Sequence, residues 1–248
     1  THNIDVLILA ECVIPPDVLL VDLNKHSRPL YDYARSIGCE KIEIFTRFPR
    51  QFFKPISETD RLTIRSLNLP GTDSINVAAV HLPSKLHQSA ESQSAASIEL
   101  SYIIKKAEAI SGHTRTVLVG DLNMDPFESG VISANGLHAV SSRKIAERKS
   151  RTVQGKDYPF FYNPMWNLLG DVRTSSPGSY YYSSAEYVTR FWHMFDQVLI
   201  RPSLVDIFDF KELKIITTAG TELLISDTGI PNKRLASDHL PLVFELSL

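Results

Sequence analysis

The stretch Thr116-Val117-Leu118-Val119-Gly120-Asp121-Leu122-Asn123-Met124-Asp125-Pro126 decides how the rest of this chain is interpreted. Residues 116–119 are aliphatic or β-branched on both faces, which predicts a buried strand. Asp121 and Asn123 follow at a spacing of two, so an extended backbone points both side chains the same way. The next residues have the pattern of a helix start, with Asp125 as the cap and Pro126 in the first turn. We therefore expect a polar site on a rigid strand-to-helix frame.

Length and composition indicate a globular protein. The chain has 248 residues, of which 43% are hydrophobic and 22% charged, and we expect one domain over residues 1–248. The net charge of −2 leaves no general basic field, so nucleic-acid binding would need a local surface. Cys12 and Cys39 have neither a metal-binding nor a disulfide spacing, which predicts a reducing, cytoplasmic location. No apolar run reaches the roughly 20 residues that span a bilayer.

Alternating and apolar runs predict further strands, and a period near 3.6 predicts helices. The helical patterns cover residues 27–37 and 88–111, and a hairpin is expected over residues 213–225. The other predicted strands cover residues 5–11, 41–46, 61–65, 75–80, 195–200 and 242–246. These pieces indicate sheets with helices packed on them.

Charged and polar side chains recur at the ends of the predicted strands. One set follows the carboxyl end of a strand, namely Glu11, His81 and Asp121 with Asn123; the other precedes the start of one, namely Asp196 and Asp238 with His239. If the second set of strands runs antiparallel to the first, all of these groups reach one rim. Four carboxylates packed together repel unless a cation lies among them, and oxygen ligands favour Mg²⁺, or Mn²⁺ in its place, over zinc.

Five motifs, in this order along nearly the whole chain, resemble those of the endonuclease/exonuclease/phosphatase superfamily. They are Ala10-Glu11, Val80-His81-Leu82, Gly120-Asp121-Leu122-Asn123, Phe195-Asp196-Gln197-Val198-Leu199 and Ser237-Asp238-His239-Leu240-Pro241. The resemblance implies an α/β (α+β) fold of the deoxyribonuclease I-like type, a four-layer sandwich of two mixed β-sheets flanked by helices. It also implies hydrolysis of phosphate esters with a divalent metal.

The resemblance implies a role for each polar residue at the rim. Glu11 would bind the metal, with Asp238 helping to hold or orient it. Asp121 would position and deprotonate the attacking water, and Asn123 would hold that water or a phosphate oxygen. These roles suit the chemistry, because an anionic phosphodiester needs a cation to neutralise developing charge and a base to make hydroxide.

Two histidines and one further acid complete the set that the resemblance implies. His239, oriented by Asp196, would contact the scissile phosphate, and His81 would assist the leaving oxygen. A carboxylate beside an imidazole fixes its tautomer and favours its charged form near phosphate.

One element that the resemblance implies is not found in the sequence. Relatives carry an earlier strand that supplies an Asn to the metal, and Asn3 lies too close to the predicted strand at residues 5–11 to take that part. We expect that strand to lie upstream of Thr1, since its loss would expose sheet edges.

Each residue also has a structural interpretation when it is taken alone. Glu11 and Asp196 could be surface acids, His81 a hydrogen-bonded structural residue, and the remaining candidates turn residues; only their joint occurrence favours a site. The basic run at residues 143–156 is more typical of a solvated face than of a phosphate track. The aromatic run at residues 158–195 is more typical of packing than of base stacking.

Three functions follow from these observations. The first is a Mg²⁺-dependent nuclease that cuts DNA or RNA, which the basic run followed by aromatic loops favours. The second is the same chemistry on a phospholipid, an inositol phosphate or a nucleotide, although no amphipathic membrane segment supports a lipid substrate. The third is a metal-free binding module without activity.

Overall fold

A computed structural model describes residues 2–25, 27–86, 88–170 and 176–248 of the chain. The α-helices are α1 (Pro16–Lys25), α2 (Ala90–Ser111), α3 (Ser129–Ile132) and α4 (Arg143–Ala146), and short 3-10 turns cover Arg50–Phe52, Pro164–Leu168 and Pro202–Leu204. The strands are β1 (Val6–Ala10), β2 (Asp32–Tyr33), β3 (Ile42–Thr46), β4 (Phe53–Thr59), β5 (Leu62–Leu67), β6 (Ile75–His81), β7 (Thr116–Asp121), β8 (Ala139–Val140), β9 (Ser150–Val153), β10 (Lys156–Pro159), β11 (Phe161–Tyr162), β12 (Tyr180–Tyr181), β13 (Trp192–His193), β14 (Asp196–Ile200), β15 (Phe208–Ile215), β16 (Thr218–Ala219), β17 (Glu222–Leu223) and β18 (Leu242–Leu246). No helix among these residues is both long and apolar enough to cross a membrane.

A seven-stranded mixed sheet forms the centre of the fold, in the order β4-β5-β6-β7-β14-β11-β8. β6 and β7 are parallel, whereas β5 and β14 run antiparallel to their neighbours β6 and β7. Parallel neighbours need a crossover, and α2 supplies it by returning the chain from the end of β6 to the start of β7. The carboxyl ends of β6 and β7 and the start of β14 therefore lie at the same rim.

Side chains that alternate along the central strands divide the core into two layers. Val77, Val119 and Val198 belong to the cluster that packs between the central sheet and the second layer of strands. Ala78 and Leu118 belong to the opposite cluster, which contains the apolar face of α2. The central strands are thus buried on both faces, as their nearly unbroken apolar sequences predict.

The second layer consists of two antiparallel sheets where the resemblance implied one mixed sheet. One has the order β1-β3-β2, and the other pairs β15 with β18. Residues of β3 and β15 contribute to the same buried cluster as the central sheet, so both small sheets cover that face. The predicted α/β sandwich is confirmed, with its second layer in two pieces.

Gly120 explains how β6 and β7 approach each other so closely. Its φ of 141° lies in the left-handed half of the backbone map, and a Cβ at this position would lie 1.9 Å from the carbonyl oxygen of Val80. Any other residue here would push β7 away from β6 just before Asp121. The strand extends two residues beyond its predicted end at Val119, because pairing continues through Asp121.

One predicted helix was wrong. Residues 27–37 contain no helix, because Tyr33 pairs with Phe45 of β3 and the Asn24 side chain holds the backbone N–H and C=O of Tyr31, at 2.7 and 2.9 Å. The helix in this region is α1, which begins at Pro16. Most of the other predicted strands, together with the long helix α2, are found within a few residues of their expected bounds.

Candidate active site

Three neighbouring strands bring His81, Asp121 and Asp196 side by side. In the central sheet His81 is the register partner of Asp121, and Asp121 is the partner of Asp196. Register partners on adjacent strands project from the same face, so the three side chains form one row. The expectation that the strand starting at Asp196 runs antiparallel to the strand ending at Asp121 is confirmed.

Asn123 fixes the carboxylate of Asp121. The backbone N–H of Asn123 donates to one Asp121 oxygen at 2.7 Å, and its side-chain Nδ2 donates to the other at 2.8 Å. The same Nδ2 donates to the Leu82 carbonyl at 2.9 Å, and the buried Gln93 of α2 donates to the Asn123 carbonyl at 2.9 Å. The Asp121 carboxylate is therefore held in one orientation, with both oxygens already accepting a hydrogen bond.

His239 joins the row from the loop that precedes β18. Its Nδ1 lies 2.7 Å from an Asp196 carboxylate oxygen, the contact that the resemblance implied. The Tyr180 ring packs against the His239 ring, with centroids 4.7 Å apart, and a β-bridge joins the two residues. The Ser179 hydroxyl accepts from the backbone N–H of Asp196 at 3.0 Å, so the β12 segment positions both members of the pair.

Glu11 and Asp238 lie beside this row. His81 Nε2 lies 3.7 Å from a Glu11 oxygen and 3.6 Å from an Asp121 oxygen, which brings Glu11 to the same rim although it is largely exposed. Asp238 is exposed and precedes His239, whose pKa its charge helps to raise. Within the described parts of the chain, a tight group of ligand atoms, all within 4.8 Å of one another, comes from Asp121, Asp196 and His239; Glu11 and Asp238 are not in this group.

The close packing of these groups shifts their pKa values in opposite senses. Burial, followed by the charge of Asp196, raises the pKa of Asp121 to about 7. Burial alone would lower the pKa of His239, but the hydrogen bond and charge of Asp196 outweigh it and raise that pKa to about 9. Burial lowers the pKa of His81, against the opposing charge of Glu11. Near pH 8 the site therefore holds an ionised Asp121, a charged His239 and a neutral His81.

Two candidate residues have strained backbones. Glu11 and Asn123 have φ values of 52° and 50°. Asn tolerates the left-handed region because its amide replaces lost backbone contacts, but Glu rarely adopts it. Strain of this kind persists where the surrounding structure over-determines a side-chain position, and it clusters at functional sites.

Asp125 has a different role from the helix cap that the sequence predicts. α3 begins later, at Ser129, and the buried Asp125 carboxylate lies 2.9 Å from His193 Nδ1 and accepts from the Met194 backbone N–H at 2.9 Å. It also pairs with Arg190 at 3.3 Å. Asp125 thereby ties the loop after Asn123 to the strand that leads into Asp196. Its spacing of two from Asn123 was the one signal in the sequence that it belongs with the site.

Part of the aromatic run lies beside the site. Tyr180 stacks on Phe195 with centroids 5.2 Å apart, and His193 stacks on the same Phe195 ring at 4.7 Å. Lys85 lies 5.2 Å above the Phe195 ring and forms an ion pair with Glu128. These rings form a wall next to His239, which the sequence alone did not reveal.

The donor set of the site suits a hard divalent cation. The carboxylates of Asp121 and Asp196 converge with no thiol among the clustered ligands, and oxygen ligands of this kind favour Mg²⁺ or Mn²⁺. Burial and the charge of Asp196 raise the pKa of Asp121, and a cation nearby would favour the ionised form of this carboxylate. His239 is protonated near neutral pH and already bound to Asp196, so it fits a phosphate contact better than a metal ligand.

The pH dependence of stability should report the ion pair between His239 and Asp196. A His whose pKa rises from 6.5 to about 9 on folding stabilises the fold fully below pH 6.5, and the contribution disappears as the pH passes about 9. Without divalent metal, the unfolding temperature of the unmodified chain should therefore fall more between pH 7 and 9.5 than that of His239→Gln. Parallel curves for the two proteins in thermal denaturation would contradict the assignment.

Comparison with solved structures identifies the fold. The 3' phosphatase NExo from Neisseria, bound to a product DNA hairpin, aligns at 13% identity with a TM-score of 0.51, over 98% of this chain and 89% of that chain. TDP2 from D. rerio, complexed with a single-strand DNA product, aligns at 17% identity and a TM-score of 0.54, over 98% and 86%. An AP endonuclease from Archaeoglobus fulgidus aligns at 16% identity and a TM-score of 0.51, over 98% and 89%. No family model and no curated protein matches the sequence.

These similarities place the chain in a structural class. It has the same fold as these structures, the deoxyribonuclease I-like fold that the resemblance of its motifs implied. At these identities the likeness defines the fold, and the chemistry has to be argued from the site.

Proposed function

We propose that this chain is a divalent-metal-dependent phosphodiester hydrolase that cuts nucleic acid. The observation that carries the proposal is the row of His81, Asp121 and Asp196 on three adjacent strands, completed by a charged His239. A buried carboxylate, a cationic imidazole and a neutral imidazole at one rim are what attack on an anionic ester requires.

Asp121 acts as the base in this proposal. Its pKa of about 7 matches the pH at which a general base works best, because the ionised form is then available and still holds a proton well. The carboxylate takes a proton from water as the water oxygen bonds to phosphorus. Asn123 keeps the carboxylate in place for this transfer through two hydrogen bonds.

His239 and His81 serve the phosphate and the leaving group. The charged ring of His239, held by Asp196, donates to a non-bridging oxygen and offsets the negative charge that develops in the transition state. His81, which burial keeps neutral, donates a hydrogen bond to the oxygen that leaves as the phosphorus–oxygen bond breaks. That oxygen is finally protonated from solvent.

Glu11 and Asp238 are proposed to hold the cation at the rim where His81 and His239 lie. A bound Mg²⁺ or Mn²⁺ would supply Lewis-acid stabilisation of phosphate charge and a more acidic water. The strained backbone of Glu11 supports a dedicated role for this otherwise exposed side chain.

A nucleic-acid substrate is favoured by the structures that the fold resembles. NExo is described with a product DNA hairpin and TDP2 with a single-strand DNA product. We infer that this chain likewise accepts a polynucleotide, with the rings of Tyr180 and Phe195 beside the scissile phosphate.

A cleavage panel tests the proposal. The chain is incubated with plasmid, single-stranded DNA, RNA, bis-p-nitrophenyl phosphate, an inositol phosphate and a phospholipid, each with Mg²⁺, with Mn²⁺ and with chelator. We expect metal-dependent cleavage of at least one nucleic acid and of the small diester. Cleavage of only the inositol phosphate or the lipid would replace the nuclease with a phosphatase of the same fold, and no cleavage at all would favour a binding module.

A further inference from the structure

Two lysines lie over the ring of Tyr158, and an arginine is its cross-strand neighbour, at the end of the central sheet opposite the catalytic rim. Lys105 Nζ lies 5.6 Å from the centroid of the Tyr158 ring, and Lys156 Nζ lies 5.4 Å from it. Arg151 is the cross-strand partner of Tyr158. We name Lys105, Arg151, Lys156 and Tyr158 the Tyr158 cluster.

Strand alternation separates these cations from the acid of the same hairpin. In the β9–β10 pair Arg151 is the partner of Tyr158, whereas Asp157 is the partner of Thr152 and hydrogen-bonds to its hydroxyl. Successive residues of a strand point to opposite faces, so Lys156 and Tyr158 share one face and Asp157 lies on the other. The face that meets α2 is therefore basic and aromatic without an acid of its own.

The acid nearest to this face on α2 is already neutralised. Glu108 is buried and binds the guanidinium of Arg201 through both oxygens, at 2.7 and 3.1 Å. Within the described parts of the chain, none of the ion pairs includes a cation of the Tyr158 cluster. Burial and the charges of Arg201 and Lys156 lower the pKa of Lys105, which agrees with positive charges gathered without a counter-ion.

The positive charges of this cluster repel one another, and a bound anion would relieve that repulsion. Lys156 is exposed and could extend into solvent, yet its ammonium group and that of Lys105 both lie over the ring of Tyr158. Arg151, on the neighbouring strand, is also exposed. An ammonium over an exposed aromatic ring is only weakly stabilised by the ring, so the ring does little to offset repulsion between neighbouring cations. Repeated positive charges beside a partly exposed ring fit a phosphate backbone and its bases.

The cluster lies well away from the catalytic row. Gln93 at the start of α2 contacts Asn123, and Lys105 follows 12 residues later, which at 1.5 Å per residue is about 18 Å along the helix. The β9–β10 hairpin leads into β11, which runs parallel to β7 and so begins at the end of the sheet opposite Asp121. A nucleic-acid strand that contacts both the catalytic row and the Tyr158 cluster needs more than about five nucleotides between the two contacts.

We propose that the Tyr158 cluster is a second nucleic-acid-binding surface, which holds the phosphate backbone of a long substrate at a distance from the cleaved bond. This inference rests on the proposed function. It assigns part of the basic run at residues 143–156, which the sequence alone suggested to be a solvated face, to substrate binding. It predicts that the surface serves long substrates and has no part in hydrolysis of small ones.

The test compares Arg151→Gln/Lys156→Gln with a control of equal charge, Lys54→Gln/Lys211→Gln, whose residues are exposed on other strands. Binding of a duplex of about 30 base pairs, far longer than 18 Å, is measured by fluorescence anisotropy with chelator at several salt concentrations. We expect the first variant to bind about tenfold more weakly and to lower the salt slope by about 1.8, since each lost phosphate contact removes about 0.9. The control should bind within about twofold of the unmodified chain.

Further measurements separate the possible outcomes. Both variants should hydrolyse bis-p-nitrophenyl phosphate at the unmodified rate, and equal unfolding temperatures should show that neither is misfolded. If the unmodified chain cuts DNA while the two variants bind the duplex equally, the inference is wrong and the proposed function stands. If the unmodified chain neither binds nor cuts nucleic acid, both are wrong. If Arg151→Gln/Lys156→Gln binds the duplex normally but no longer binds phosphatidylserine vesicles, the inference is also wrong, and the cluster is a membrane-binding surface.

Discussion

Asp121→Asn is expected to lower kcat for phosphodiester hydrolysis by about 10³-fold or more. An amide has nearly the shape of the carboxylate but cannot take a proton from water, and it is a weak ligand for a hard cation. Substrate binding should change much less, because the contact proposed between His239 and the phosphate remains. Steady-state kinetics on DNA and on a small diester, with metal in excess, measure the split between kcat and KM.

The fold should survive this substitution. Burial and the charge of Asp196 disfavour ionised Asp121, so removing the charge relieves repulsion in the metal-free protein. The amide can accept from only one of the two Asn123 donors, which offsets part of that gain. Asp157→Asn on the exposed hairpin is the matched control and should keep full activity. A variant at position 121 that retained more than about a tenth of the rate would exclude Asp121 as the base.

The positions of the site residues could be predicted because each follows or starts an apolar strand. In the central sheet a strand end is a fixed place in space, and the register of β6, β7 and β14 converts three sequence positions into one row. β6 and β7 can be parallel because the long helix α2 connects them. No helix of comparable length lies between β7 and β14 in the described residues, and these two strands are antiparallel. His81, Asp121 and Asp196 were therefore predictable as neighbours.

Contacts across long sequence separations could not be predicted in the same way. Asp125 has the local pattern of a helix cap, yet the ring of His193 and the backbone of Met194, 68 and 69 residues away, bind its carboxylate instead. Tyr180 reaches His239 through a β-bridge that no local pattern announces. Periodicity identifies elements, whereas buried polar groups choose partners by geometry that only the folded chain supplies.

The segment at residues 27–37 shows a further limit of local patterns. Helical spacing is a weak preference there, and pairing of Tyr33 with β3 together with the side-chain hydrogen bonds of Asn24 outweighs it. Likewise, the alternation of β9 and β10 places Asp157 away from the cations on either side of it, although in the sequence it lies among them. A basic run and an acid within it can thus belong to different surfaces.

The raised pKa values of Asp121 and His239 define a pH range for activity. The proposed mechanism needs Asp121 ionised and His239 protonated, and both conditions hold between about pH 7 and about pH 9 in the metal-free site. A bound cation favours the ionised carboxylate and should extend the acid limit downward, whereas the alkaline limit follows His239. Because a His at its ordinary pKa would be neutral at pH 8, the alkaline half of this range depends on Asp196.

His239→Gln and Asp196→Asn are each expected to lower kcat/KM at pH 8 by about 10²–10³-fold, the usual cost of one charged donor to a transition-state oxygen. Their double variant should lose little more than either alone, because the two residues act as one unit.

The pH profile separates this pairing from a merely structural one. Without Asp196 the pKa of His239 loses the interactions that raise it against burial, so Asp196→Asn should recover activity relative to the unmodified chain as the pH falls from 8 to 6. His239→Gln has no ring to protonate and should show no such recovery. Suppose instead that the two single variants lose activity by the same factor at every pH. Asp196 would then position the loop that carries His239 without maintaining the positive charge of His239, and the cationic role of His239 would be wrong.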